Sequence, residues 1–178
     1  MHTCPECGNS DMRVRTAAGT AVHECGLCGA RFGDRWAIDA LDDLEQAEAR
    51  GLPVVVFALV RALEALPGVL VRDAAAGGLE PPTLPFVEIG GKDEVLLLQL
   101  ENLAKSLQLG AGLLRSHWVV EVEFRRHLAF VLKPRHAGGP IAVDAVRDAQ
   151  HDLTVLRRHL ERDRRLGWWR HAGDAPKR

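Results

Sequence analysis

The four cysteines of the chain form two Cys-x-x-Cys pairs, Cys4-Pro5-Glu6-Cys7 and Cys25-Gly26-Leu27-Cys28. The interval between them, residues 8–24, lies within the window of about 15 to 20 residues that is typical of structural zinc sites. One Cys-x-x-Cys turn supplies two thiolates, and a second turn completes a tetrahedron that has no open position for water. The spacing therefore predicts one structural zinc ion without hydrolytic chemistry, and its ligands are Cys4, Cys7, Cys25 and Cys28.

Two other interpretations of the cysteines remain open, a pair of redox-active dithiols and a pair of disulfides. Redox Cys-x-x-Cys motifs typically lie next to a βαβ unit, and neither pair has that sequence context. Thiolates that serve as metal ligands also require a reducing compartment. The paired spacing favours zinc over both alternatives.

The N-terminal segment, with its CPECG and CGLCG motifs, resembles a zinc ribbon over residues 1–33. In that family two cysteine knuckles hold one zinc ion beside a small antiparallel sheet. The residues between the motifs independently predict a hairpin, because Met12–Thr16 and Ala21–Glu24 have strand character and flank a glycine turn. A segment this short buries too little apolar surface to fold alone, so we expect the metal to stabilise it.

A helix is predicted from Arg35 to Arg50, with Asp34 as its N-cap and Gly51 at its end. Acidic residues occupy most of its surface, so only a narrow stripe would be buried and the helix would serve as a connector. The predicted stripe consists of Trp36, Leu41, Leu44 and Ala47.

The remainder of the chain predicts an α+β domain with an antiparallel sheet, in the order α-β-β-α-β-β-α. The predicted helices are Val54–Leu66, Asp93–Leu109 and Val143–Arg165, and the strands are Val69–Val71, Pro85–Ile89, Trp118–Phe124 and Leu128–Leu132. The stretch from Ala74 to Leu84 is predicted as a loop. Apolar stripes are predicted at Leu96, Leu100, Leu103 and Leu107 of the second helix and at Val146, Ala149, Leu153, Leu156 and Leu160 of the third. The element order is similar to that of the small chaperones of bacterial type III secretion, a similarity that carries no residue and no function. The predicted divisions are a zinc ribbon at 1–33, a connecting helix at 34–52, the α+β domain at 53–166 and a basic tail at 167–178.

Composition predicts a cytoplasmic protein without a membrane span. The chain has 178 residues and a net charge of −1, no apolar run approaches the length of a bilayer crossing, and no secretory signal is expected. The charge is unevenly distributed: residues 34–112 contain thirteen acidic and six basic side chains, whereas residues 113–178 contain eight and fourteen. The ribbon itself is nearly neutral, which is unlike a module that binds duplex DNA through phosphates.

The second domain offers three weaker candidates for chemistry. Gly90-Gly91-Lys92 precedes a helix and could bind an anion, but it lacks the full phosphate-loop spacing and is interpreted as a glycine turn. His117, His127 and His136 lie at strand ends or loops, and no carboxylate is spaced to orient them. The C-terminal candidates for nucleic-acid contact are Arg157, Arg158, Arg162, Arg165, Trp168 and Trp169, and their alternative is a solvated helix face.

Three classes of function follow. The first is a zinc-binding, non-catalytic interaction or adaptor protein with a protein partner and with homodimerisation as an option. The second is a nucleic-acid-associated regulator that uses the ribbon arginines Arg13, Arg15 and Arg31 and the C-terminal arginines. The third is an enzyme that uses a deep pocket lined by His117, His127 or His136. The sequence favours the first class.

Overall fold

The computed structural model describes residues 3–17, 19–91, 93–124 and 128–165, and the chain divides into two compact units. The first unit is Met1–Val54 and the second is Val55–Arg178. The whole is an α+β protein, as the sequence predicts. Among the described residues, none of the helices has the length and apolar character that crossing a bilayer requires.

The first unit contains a three-stranded antiparallel sheet and one helix. The strands β1 (Met12–Ala17), β2 (Thr20–Cys25) and β3 (Arg31–Phe32) lie in the order β1-β2-β3. The predicted hairpin is confirmed, with Met12 opposite Cys25 and Ala17 opposite Thr20. Helix α1 (Arg35–Ala49) packs on β1 and β2, so the helix predicted as a connector belongs to the same unit as the sheet.

A small apolar core joins α1 to the sheet. Ala17 and Val22 of the strands meet Ala37 and Leu41 of the helix, and all four are buried. The predicted burial of Trp36 is wrong, since this side chain is 52% exposed. Ala37 takes the inward position instead, because residues 37 and 41 share one helical face whereas residue 36 lies about 100° away. Asp34 is the N-cap residue as predicted, but its side chain makes no capping hydrogen bond.

The second unit contains a four-stranded antiparallel sheet and three helices. The helices are α2 (Val54–Glu64), α3 (Asp93–Gly110) and α4 (Val143–Arg165), and the sheet strands are β4 (Val69–Ala75), β7 (Phe86–Gly91), β8 (Trp118–Phe124) and β9 (Leu128–Pro134). Their order in the sheet is β4-β7-β9-β8. The stretch from Ala74 to Leu84, predicted as a loop, also contains a short hairpin. Its two strands, β5 (Gly78–Leu79) and β6 (Pro82–Thr83), have two residues each.

Apolar stripes on the helices supply the core of the second unit. In α2 the side chains of Val56, Leu59, Val60 and Leu63 are fully buried, as their spacing predicts. The predicted stripe of α3 is confirmed at Leu96, Leu100, Leu103 and Leu107. The predicted stripe of α4 is confirmed at Val146, Ala149, Leu153, Leu156 and Leu160.

Gly90 and Gly91 do not form the predicted turn. They are the last two residues of β7 and lie opposite Leu70 and Val69 of β4. A Cβ atom on Gly90 would lie 2.3 Å from Nε of Arg72, and one on Gly91 would lie 2.1 Å from the carbonyl oxygen of Gly68. These glycines are therefore explained by close packing inside the sheet, which removes the support for an anion site there.

Candidate metal centre

The four cysteines converge at one end of the first unit. Their sulfur atoms all lie within 4.8 Å of one another. Sγ of Cys4 lies 3.7 Å from Sγ of Cys28, and Sγ of Cys7 lies 3.6 Å from Sγ of Cys25. Four sulfurs about 2.3 Å from a tetrahedral zinc ion would be separated by roughly 3.8 Å, so the spacing fits such an ion.

The two knuckles that carry the cysteines have the same backbone design. The amide of Gly8 donates to the carbonyl of Cys4 at 2.8 Å, and the amide of Gly29 donates to that of Cys25 at 3.0 Å. Both glycines adopt positive φ, 73° and 72°, which a residue with a side chain rarely adopts. The matched turns explain why glycine follows each Cys-x-x-Cys pair in the sequence.

Backbone amides already favour negative charge on one sulfur of the cluster. Amide groups of Cys28 and Leu27 donate to Sγ of Cys25 and lower the pKa of this thiol to about 6. The pKa of Cys7 rises to about 12: the amide of Asn9 lowers it, but desolvation and the neighbouring sulfurs, beginning with Cys25, outweigh that effect. Repulsion between close sulfurs resists further loss of protons, and a divalent cation at their centre would remove that resistance.

Donor chemistry restricts which metals the centre could hold. All four ligands are sulfur, a set that zinc and iron accept and that magnesium and calcium do not. Asn9 adds a neighbouring contact, because its Nδ2 donates to Sγ of Cys25 at 3.8 Å. Such a contact orients a ligand without joining the coordination sphere. In the described part of the chain, no other group of three or more His, Cys, Asp or Glu side chains converges in this way.

A cluster of ion pairs ties the helix of the first unit to the sheet that carries the cysteines. Arg31 on β3 bonds Glu24 at 3.0 Å, Glu45 at 2.7 Å and also Asp42, while Arg15 on β1 pairs with Glu45. Hydrogen bonding to Arg31, reinforced by Arg15, lowers the pKa of Glu45, and the same contact with Glu45 raises that of Arg31. The guanidinium groups of Arg15 and Arg31 thus have carboxylate partners inside the unit, which counts against their predicted use as phosphate contacts.

Three of the four candidate arginines of α4 also have partners within the helix. Arg162 bonds the carboxylate of Asp163 at 3.1 Å, and Nη1 of Arg157 lies 3.9 Å from Glu161. Nε of Arg165 donates to the carbonyl of Glu161 at 3.4 Å, while Arg158 is exposed. Trp168 and Trp169 lie outside the described residues. A basic face with stacked indoles, as predicted for a nucleic-acid contact, therefore has no support from the described part of α4.

The candidate histidines do not form a catalytic site in the part of the chain that is described. His117 lines an open groove of about 500 Å³, and His136 lines a second one of about 280 Å³. His136 contacts the carbonyl of Gly139 at 3.1 Å, and His127 lies outside the described residues. The two described histidines thus line separate grooves, and the structure does not bring them together.

A buried polar network between α3 and α4 escaped the sequence interpretation. Ser106 Oγ donates to Asp163 at 2.6 Å, and Nε2 of His159 lies 3.0 Å from the carbonyl oxygen of Ser106. Serine, histidine and aspartate are the residue types of a hydrolase triad, but here the serine bonds the carboxylate directly and the histidine does not reach its hydroxyl. The network holds two helices together and presents no activated nucleophile.

The signal for this network was present in the spacing of α4. From Leu156, steps of three and four residues lead to His159 and Asp163, which places both on the edge of the buried stripe. A polar side chain at such a position requires a buried partner.

No protein-family model, curated protein or solved structure matches the chain.

Proposed function

We propose that this chain is a zinc-binding interaction protein whose metal is structural and whose N-terminal unit is a zinc ribbon. The observation that supports this proposal most directly is the convergence of four cysteine sulfurs within 4.8 Å. The residues that would hold the ion are Cys4, Cys7, Cys25 and Cys28. Four sulfur ligands saturate a tetrahedral ion, so the metal would organise two turns and would activate no water.

The interaction role is supported by an exposed leucine side chain on the second cysteine knuckle. Leu27 lies between Cys25 and Cys28, and its side chain is 73% exposed. Val14 on β1 is 63% exposed in the same unit. A leucine held outward on this turn gives a protein partner apolar surface to bury. Together with the cytoplasmic, reducing setting that free thiolates require, this favours a protein partner over a catalytic role.

Elemental analysis of protein purified without added metal tests the metal part of the proposal. We expect one zinc ion per chain, and X-ray absorption should report four sulfur neighbours at about 2.3 Å. Tight iron with the redox spectrum of an iron–sulfur protein would replace zinc in the proposal. Metal-free protein with disulfide-bonded cysteines would refute it and would make a redox role the leading hypothesis.

A Leu27→Ser variant tests the interaction part. Because the side chain is exposed, the variant should retain the zinc content and stability of the wild type. We expect affinity capture with the full chain to recover a discrete protein partner, and the variant to bind that partner at least about tenfold more weakly. Equal binding by both proteins would exclude the knuckle as the interaction surface.

A further inference from the structure

The two edges of the four-stranded sheet in the second unit differ in how they are protected. The β4 edge has a register shift between Val71 and Asp73 and two exposed charged side chains, Arg72 and Asp73. Bulges and exposed charges are the usual devices that prevent a sheet edge from pairing with another chain. The bulge and the exposed charges therefore protect the β4 edge from pairing with a further strand.

The β8 edge lacks these devices. Its seven residues pair with β9 in an unbroken register from Trp118 opposite Pro134 to Phe124 opposite Leu128. The strand contains no proline, and its two acids, Glu121 and Glu123, are bonded to Lys133 at 2.9 Å and 2.5 Å. Within the described residues no strand occupies the outer side of β8. An unbroken edge whose two carboxylates both pair with Lys133 is a template for strand addition.

One face of β8 carries apolar side chains that the second unit leaves uncovered. Trp118, Val120, Val122 and Phe124 alternate onto the same face. Trp118 is buried at 4% exposure, whereas Val122 is 60% and Phe124 is 81% exposed. Exposure thus increases steadily along the strand, and a bulky aromatic ring stands in solvent at its far end.

The opposite end of the same strand borders a groove. This groove, about 500 Å³ in volume, lies between β8 and α3, and its apolar lining includes Ala104, Leu107, Leu114 and Trp118. Phe124 and Trp118 are six residues apart, about 20 Å along the strand. The strand therefore has an aromatic projection at one end and, at the other, a recess in which these apolar side chains are joined by polar ones such as Gln108 and His117.

We infer that β8 is the interface of a homodimer in which two copies pair antiparallel about a two-fold axis near residues 120–122. Such an axis exchanges the two ends of the strand, so Phe124 of each copy reaches the groove beside Trp118 of the other. The same contact forms twice, as closed two-fold symmetry requires. The two sheets would join into one of eight strands, and the apolar face of β8 would become buried. A different protein would need both an aromatic side chain that fits the groove and a groove that accepts Phe124. A second copy of this chain already has both.

The interface lies in the second unit, so this inference goes beyond the proposed metal-dependent function and can fail independently of it. Sedimentation equilibrium of the full zinc-loaded chain should give a mass twice the 19.5 kDa of the monomer. Phe124→Glu should weaken dimerisation roughly thirtyfold or more, as expected for loss of a central aromatic anchor. Leu70→Glu is the matched control: Leu70 is 56% exposed on the opposite edge strand, and this variant should remain dimeric.

Hydrogen exchange of the unmodified protein tests the strand pairing without any substitution. On dilution to monomer, the amides of β8 that face away from β9 should lose protection, while those of β4 should not change. This readout also decides the question if Phe124→Glu fails to fold. A wild-type chain that is monomeric at all concentrations, a dimer that survives Phe124→Glu in folded protein, or equal dissociation of both variants would overturn the inference.

Discussion

Replacing Cys25 by serine should release the metal and unfold the first unit, while the second unit stays folded. Cys25 is buried at the end of β2, and it receives hydrogen bonds from the amides of Cys28 and Leu27 and from Nδ2 of Asn9. A serine hydroxyl keeps its proton at neutral pH and is a poor ligand for zinc. Three remaining thiolates would leave the ion open to water and to competing chelators.

The expected loss is large because the first unit has little else to hold it together. Among the described residues its buried core cluster consists of Ala17, Val22, Ala37 and Leu41, with a few half-buried neighbours. Metal binding in zinc-finger peptides is worth about 10 to 16 kcal/mol at neutral pH, far more than so few small side chains can supply. The ion pairs of Arg31 with α1 are partly exposed and should not compensate.

The measurement combines zinc content with hydrogen exchange mass spectrometry on wild type and Cys25→Ser. Peptides from β1, β2 and α1 should lose nearly all protection in the variant, whereas peptides from α3 and α4 should match the wild type. Leu27→Ser is the matched control, since it introduces the same residue two positions away without removing a ligand. Retention of full protection in β1 and β2 by a zinc-free Cys25→Ser protein would show that the unit folds without metal.

The metal centre was predictable from sequence because its information is local. Two short spacings identify the four cysteines that converge, and glycine after each pair indicates the turn. The role of α1 was not predictable in the same way, since an acidic helix with a sparse apolar stripe resembles a solvated connector. What assigns it to the sheet is the convergence of Glu24, Asp42 and Glu45 on Arg31, and these four positions are distant in sequence. Local sequence patterns do not predict an ion-pair cluster that depends on how the strands and the helix pack together.

In the described part of the second unit, periodicity predicted the three α-helices and each strand of the main sheet, because buried stripes repeat with the period of the element. It could not predict where the glycines at 90 and 91 lie, since a glycine pair before a helix is compatible with a turn or with tight strand packing. Nor could it predict sheet order, which decides that β8 is an edge and that Val122 and Phe124 are exposed. Edge status depends on pairing between strands that are far apart in the chain, so local patterns carry no information about it.

Polar residues at the edge of an apolar helical stripe indicate buried hydrogen bonds. The prediction of α4 considered only the apolar residues and therefore missed them. Asp152 lies three residues after Ala149 and four before Leu156, which places it at the edge of the buried face of α4. Its carboxylate is fully buried. It accepts hydrogen bonds from the amides of Arg115 and Ser116 at 3.0 Å and 2.8 Å, and from Nε1 of Trp118 at 3.1 Å. One side chain of α4 thereby fixes the segment that leads into β8.

Asp152→Ala should therefore destabilise the second unit by about 3 to 5 kcal/mol, because three donors would lose their acceptor inside the protein and two of them are backbone amides. Asp152→Asn should lie between wild type and alanine, since an amide offers one oxygen and turns an NH₂ group towards a donor. The groove beside Trp118 should loosen as well, so dimerisation through β8 should weaken along with stability.

Asp148→Ala supplies the comparison on the same helix, one turn earlier. The exposed carboxylate of Asp148 pairs with Arg115 at 3.3 Å. The Asp148→Ala substitution should therefore lower the free energy of unfolding by less than about 1 kcal/mol. Urea unfolding of the three variants, followed by hydrogen exchange in peptides from β8 and α4, separates the second unit from the first. Equal stability of Asp148→Ala and Asp152→Ala would mean that the buried carboxylate is no more important than an exposed ion pair. A large difference would show that α4 anchors the segment leading into β8, the strand that borders the groove and on which the proposed dimer depends.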